Sequence, residues 1–92
     1  MEKRVERMIN EHIELVKRIK KLDEFVHGDA SKDINRIEFA NCCIQLKAMR
    51  VYAEALEARL YNANIEYDNE TNEYKEYIGK INFKEEDTPD EK

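Results

Sequence analysis

Glycine and proline are nearly missing from this sequence, at two and one in 92 residues. That scarcity argues against sandwiches and barrels, whose many tight turns draw on both residues. With 40% of positions charged, the balance favours long solvated helices. Long apolar runs are missing too. Nothing approaches the roughly 20 residues needed to span a bilayer. The opening MEKRVERMINEH has no apolar signal core. The expectation is a soluble, cytoplasmic protein with no membrane partner.

The residues of common catalytic machinery are equally sparse. There is one serine, Ser31, two histidines, His12 and His27, and no Gly-rich phosphate loop or HExxH pattern. The two cysteines, Cys42 and Cys43, are adjacent. Neighbours on a helix point about 100° apart, so a disulfide between them would be strained. Reduced, partly buried thiols are expected, with no metal site, because no further Cys or His stands at ligand spacing. No enzyme activity and no cofactor are expected. Carboxylates are plentiful, but they alternate with Lys and Arg as on a solvated helix face.

Charge is unevenly placed. Residues 1–61 hold 12 Lys or Arg against 11 Asp or Glu, whereas residues 62–92 hold 4 against 10. No basic stripe exists to neutralise a run of phosphates, which disfavours polymeric nucleic acid. A small anion needing two or three cations remains compatible.

Helical periodicity is what the sequence has in abundance. Val5, Met8, Ile9, His12, Leu15, Val16, Ile19, Leu22 and Val26 follow the three-and-four spacing of an amphipathic helix. Gly28 fits a C-terminal cap, and Asp29 or Ser31 an N-cap for a second helix after a short turn. That helix is expected from about Asp33 to the low sixties. One seam on it reads Phe39, Cys42, Leu46, Met49, Ala53, Leu56, Leu60 and Ala63. A short connection folds this seam back antiparallel, and Ile19 opposite Leu46, His12 opposite Ala53 and Val5 opposite Leu60 make one register.

The second helix carries another apolar column, Ile37, Ile44, Val51, Ala58 and Ile65, with Ala48 and Ala55 beside it. Seven residues return to within about 20° of the start, so this column lies nearly opposite the seam. A two-helix hairpin cannot cover both sides. A chain this small buries only roughly 60 to 65% of its unfolded surface and gains from association. Ile37, Ile44, Ala48, Val51, Ala55 and Ala58 are therefore candidates for a homo-oligomer interface. The alternative is that the C-terminal segment folds over them.

The fold class expected is all-α: an antiparallel helical hairpin over 1–66, an extension over 67–83, and a disordered acidic tail over 84–92. Asn72 followed by Tyr74, Tyr77, Ile78 and Ile81 favours a short third helix in the extension, with a strand hairpin as the competing reading.

Between the two apolar sides runs a polar row, Gln45, Tyr52 and Arg59, matched on the first helix by Arg4, Glu11 and Arg18. In the antiparallel register Arg18 lies near Gln45 and Tyr52, and Arg4 near Arg59 and Tyr61. An aromatic face beside guanidinium groups and an amide suits a nucleotide: stacking for the base, charged hydrogen bonds for phosphate, an amide for the base edge. Ordinary flanking of a helical seam is the plainer reading, and the residues alone favour it.

Glu14, Leu15, Arg18, Ile19, Lys21, Leu22 and Phe25, then Gln45, Leu46, Ala48, Met49, Tyr52, Leu56, Arg59 and Leu60, form two motifs. The string they make resembles a family of small helical proteins of tailed and crAss-like bacteriophages. It is similar to the phage sponge proteins that sequester cyclic dinucleotides such as cyclic GMP-AMP and silence CBASS antiphage defence. His12 stands where the pattern more often has a polar or acidic residue. The resemblance implies an oligomer, a tetramer by preference, with pockets between subunits, no turnover of the ligand, and a place in the host bacterial cytoplasm. Arg18, Lys21, Gln45, Tyr52 and Arg59 are the ligand-binding positions it implies. The rival from another class is a helical interaction module or inhibitor that docks the Ile37, Ile44 and Val51 column on a host protein.

Overall fold

The computed structural model of the chain describes residues 2–76. Two long helices are followed by a strand hairpin: α1 (Lys3–Val26), a 3-10 helix (Asp29–Asp33), α2 (Arg36–Asn62), β1 (Ile65–Asp68) and β2 (Glu73–Glu76). The described residues fall into two compact units that divide between Leu56 and Glu57. Expectations for Tyr77, Ile78, Ile81, Phe83 and the 84–92 tail lie outside the described residues.

The first unit is an antiparallel pair of helices. Leu15, Ala53 and Leu56 are buried together, with Ile19 and Met49 packed against them. Leu56 is fully excluded from solvent, and burying such a side chain contributes about 1.5–3 kcal/mol. Leu15 thus packs roughly one turn along α2 from Arg50, the residue the expected register sets opposite it. The α1 stripe is inward as its spacing predicts, with Val5, Met8, His12, Leu15 and Val26 buried. Along α2, Leu46 and Ala53 are buried, while Met49 and Cys42 are half-buried. Cys43 is exposed, against the expectation that both thiols are partly buried; both cysteines are free.

The connection corrects three expectations. It is not a short turn: nine residues, 27–35, separate the helices, and five of them form the 3-10 helix. Gly28 adopts extended backbone, φ −106°, so it is not needed for a left-handed cap. A Cβ there would stand 2.9 Å from the Glu24 carbonyl oxygen, so close backbone approach requires the glycine. The cap of α2 is Asn35, whose Oδ1 accepts from the Glu38 amide at 2.8 Å, one of the four amides a helix start leaves without partners. Ser31 instead turns its hydroxyl back, donating to the Gly28 carbonyl at 2.8 Å.

Among the described residues of the second unit, strands stand where the third helix is expected to begin. Residues 65–76 form two antiparallel strands, with Tyr67 opposite Tyr74 and Glu66 opposite Lys75. The reason lies in two asparagines. Asn64 and Asn72 take positive φ, 69° and 62°, a region Asn tolerates better than most residues. Asn64 ends α2, its amide donating to the Tyr61 carbonyl at 3.0 Å, and Asn72 closes the hairpin by donating to the Asp68 carbonyl at 2.7 Å. Across the strands the Tyr67 and Tyr74 rings lie 4.9 Å apart, tilted at 39°, the kind of aromatic pair that stabilises a hairpin. The boundary expected after residue 66 falls inside β1. Ile65, assigned to the exposed column, is instead a buried strand residue at 3% exposure.

Candidate ligand site

An open hollow of about 330 Å³ lies within the first unit, lined by Arg18, Lys21, Leu22 and Phe25 of α1 and by Gln45 and Met49 of α2. Its origin is the pitch of the two helices. Leu22 and Phe25 lie three apart on the inner side of α1, and Lys21 and Arg18 continue the same edge outward. From α2, Gln45 and Met49 stand one turn apart, and the Gln45 amide nitrogen reaches the Met49 sulfur at 3.9 Å. The result is an apolar floor, Leu22, Phe25 and Met49, with one guanidinium, one ammonium and one amide at its rim.

The rim cations keep their charge available. Among the described residues neither Arg18 nor Lys21 has a carboxylate within salt-bridge reach, whereas Lys17 sits 3.8 Å from Glu14 and Arg50 3.0 Å from Asp23. Two cations over an apolar surface, with an amide that can donate and accept, can hold a planar, anionic ligand: the floor takes a ring, and the charges take phosphate oxygens.

Three of the five positions expected from sequence thus share one hollow: Arg18, Lys21 and Gln45. Tyr52 does not line it; it lies seven residues beyond Gln45 on α2 and is 43% exposed. Arg59 is exposed in the last turn of α2 and belongs to the second unit. Leu22 and Met49 are lining residues that the sequence places in the packed seams, and Phe25 is one that it places only in the first motif. Their half-burial is the signal that separates them from the sealed seam positions. The six interface candidates, Ile37, Ile44, Ala48, Val51, Ala55 and Ala58, are all exposed in the single chain, Ile37 at 75% and Ile44 at 66%.

A second hollow, of about 410 Å³, lies in the hairpin unit and is lined by Glu57, Glu66, Tyr67, Asp68, Asn69 and Lys75. Its three carboxylates against one ammonium repel phosphate, so it does not compete as an anion site. Among the described residues no group of three or more His, Cys, Asp or Glu is arranged to hold a metal ion, and no helix is long and apolar enough to cross a membrane.

The helices that build the first hollow are also the part of the chain that known proteins share. A family model described as Sequestin matches residues 2–62, from the start of α1 to the end of α2. The chain belongs to the Sequestin family. No curated protein and no solved structure matches it. Sequestin membership implies a sequestering function, that of a protein that binds and holds a small molecule. It supports the resemblance to the sponge proteins read from the two helical motifs. The strand hairpin lies outside the matched residues, so the family's shared part coincides with the helical pair and its hollow.

Proposed function

We propose that this Sequestin captures a cyclic dinucleotide signal, such as cyclic GMP-AMP, stoichiometrically and without turnover, and so blocks CBASS-type antiphage signalling in the cytoplasm of a phage-infected bacterium. The observation that carries the reading is the hollow in which Arg18, Lys21 and Gln45 ring an apolar floor inside the family-matched helices. Arg18 and Lys21 take the phosphates, Gln45 reads a base edge, and Tyr52 contributes a stacking face; Arg59 is a separate candidate cation carried from the motif. Helices fixed by packing lose little freedom on binding, which favours tight capture. The exposed column Ile37, Ile44, Ala48, Val51, Ala55 and Ala58 supports a homo-oligomer, with a tetramer the favoured state. Calorimetry and thermal shift against a panel of cyclic di- and trinucleotides test the reading, together with mass spectrometry of small molecules released on denaturation. Micromolar or tighter binding of one member is expected. Neither heat nor a thermal shift from any member would overturn it.

The same column supports a second reading, an interaction module that docks on a host protein, because Ile37, Ile44 and Val51 are 75%, 66% and 59% exposed. Light scattering separates the two. A stable homo-oligomer favours capture of a small molecule, and a monomer that associates only with a host protein favours docking.

A further inference from the structure

We propose that α2 packs antiparallel against α2 of a second copy, in a register that brings the partner's Tyr52 opposite Gln45, at the rim of the Arg18 and Lys21 hollow. The pairing stands on the helix itself, and the use of Tyr52 rests on the capture reading above.

The exposed face has a definite pattern. Ile37, Ile44 and Val51 recur every seven residues, and Ala48 and Ala55 stand about 40° to one side of them. Leu46, Ala53 and Leu56, which pack inward, occupy the opposite side of the helix. Large side chains alternating with alanines let two such faces interlock at close range. Gln45 and Tyr52 lie on one flank of this face, and Lys47 and Glu54 on the other, all four exposed.

A two-fold axis across two antiparallel helices sets each flank against itself. Residues then face one another when their positions share a midpoint along the helix. Ile44 with the partner's Ala55, Val51 with the partner's Ala48, Gln45 with the partner's Tyr52, and Lys47 with the partner's Glu54 all do so. Their midpoints agree to within two residues, about 3 Å of helix rise. One register therefore seats each Ile or Val against an alanine and joins opposite charges twice over. A parallel pairing would set the Lys47 and Glu54 flank against the partner's Gln45 and Tyr52 flank and leave both charges without an opposite charge to meet.

The consequence for the hollow is specific. A chain's own Tyr52 stands about 10 Å along α2 from its Gln45, by helix rise, and does not line the hollow. The partner's Tyr52 comes opposite that Gln45 and supplies the aromatic wall that the open single-chain hollow lacks. The second copy contributes a binding residue as well as burial.

Charge swaps test the register in the full chain. Sedimentation of Lys47→Glu alone and Glu54→Lys alone should show self-association weakened about tenfold, since each turns two attractive contacts repulsive. An equimolar mixture should recover association as heteropairs. Single variants that associate like wild type, or a mixture that shows no recovery, would overturn the pairing. The placement of Tyr52 is tested by complementation with cyclic GMP-AMP as probe. K47E with R18A in one chain, mixed with E54K and Y52A in the other, should restore one site per heteropair, because one hollow then combines an intact Arg18 with an intact Tyr52 from the partner. No restored binding, where wild type binds, would show that Tyr52 acts within its own chain and would overturn that placement. If wild type binds no cyclic dinucleotide, the capture reading fails, and sedimentation still decides the pairing.

Discussion

Arg50 donates to the Asp23 carboxylate across 3.0 Å, joining the last turn of α1 to the middle of α2. The same carboxylate lies 3.3 Å from Nδ1 of His27, whose ring also meets the Asp23 carbonyl oxygen at 2.9 Å. Asp23 thus fixes the end of α1 and the line along which α2 returns. Both partners of the Arg50 contact are substantially exposed, at 53% and 39% of their side chains. Solvent screens such a pair, so its value is specificity of register more than stability.

A double-mutant cycle on Asp23→Asn and Arg50→Gln should return a coupling below about 1 kcal/mol, shrinking further in high salt. Urea unfolding of the four proteins measures it. A coupling of several kcal/mol would mean that the pair is far less screened than its exposure indicates.

The α2 cap carries a sharper cost. Asn35→Ala removes the acceptor for the Glu38 amide and should lower stability by about 1 kcal/mol, while Asn35→Asp should keep most of it. Hydrogen exchange at Glu38 is the local readout, with faster exchange expected in the alanine variant only.

These details mark how far the sequence could be read. The helices were legible because Val5, Met8, His12 and Leu15 repeat at helical spacing, a period that the two-residue alternation of a strand cannot produce. Both helices end within a few residues of where the periodicity stops. The cap was missed because Asp29, Ser31 and Asn35 are all competent acceptors, and only the nine-residue path of the connection selects Asn35. The strand hairpin is only the competing reading of the sequence because Glu and Asn dominate residues 64–76 and carry no strong strand preference. Two local choices decide it: positive φ at Asn64 and Asn72, and the facing of Tyr67 with Tyr74. At the site, Arg18 and Gln45 came together as the antiparallel return requires. Tyr52 did not join them, because a shared flank on α2 does not bring residues two turns apart into one hollow.

The tyrosine pair makes the hairpin sensitive to alkali. Burial, then the neighbouring Tyr67 and the Glu57 carboxylate, push the Tyr74 phenol from its ordinary 10 up to about 12. Burial and Glu57, with Asp68, also raise that of Tyr67. A phenol whose pKa is raised by folding stabilises the folded form below pH 10, and that contribution is lost as pH rises from about 10 towards 12. Ultraviolet titration should therefore show part of the tyrosine absorbance ionising late, with loss of hairpin signals over the same range. Tyr74→Phe should remove most of the late phase. At the acid end, the Glu70 amide, which donates to Asp68 at 2.9 Å, is the main influence holding that carboxyl below its usual value. This stabilising contribution is present at neutral pH and fades as pH falls below about 4.

Core and column should respond oppositely to truncation. Leu56 is fully buried, and Leu56→Ala should destabilise by about 2–5 kcal/mol, enough to unfold a domain of this size at moderate temperature. Val51, 59% exposed, should cost under about 0.5 kcal/mol in the single chain when cut to alanine. Thermal unfolding at low protein concentration, where association is minimal, compares the two. A large loss from Val51→Ala under those conditions would mean that the column is already packed within one chain.

The hollow's chemistry predicts how ligand affinity depends on charge and salt. Arg18 and Lys21 are exposed and hold no carboxylate among the described residues, so removing either should leave the unfolding temperature nearly unchanged. Each should weaken capture of cyclic GMP-AMP about tenfold, because a charge-assisted contact to phosphate contributes roughly 1.5–3 kcal/mol and part of it is recovered from solvent. Lys20→Ala, one position from both the hollow's cation edge and the inner side of α1, serves as the control and should change affinity little. Arg18→Lys should recover only part of the loss, since an ammonium cannot make the paired contacts of a guanidinium. Calorimetry across a salt series completes the comparison: wild-type affinity should fall with ionic strength, and the Arg18→Ala and Lys21→Ala variants should show a shallower slope. Equal slopes in all variants would mean that phosphate is held elsewhere and that the hollow is only the flank of a helical seam.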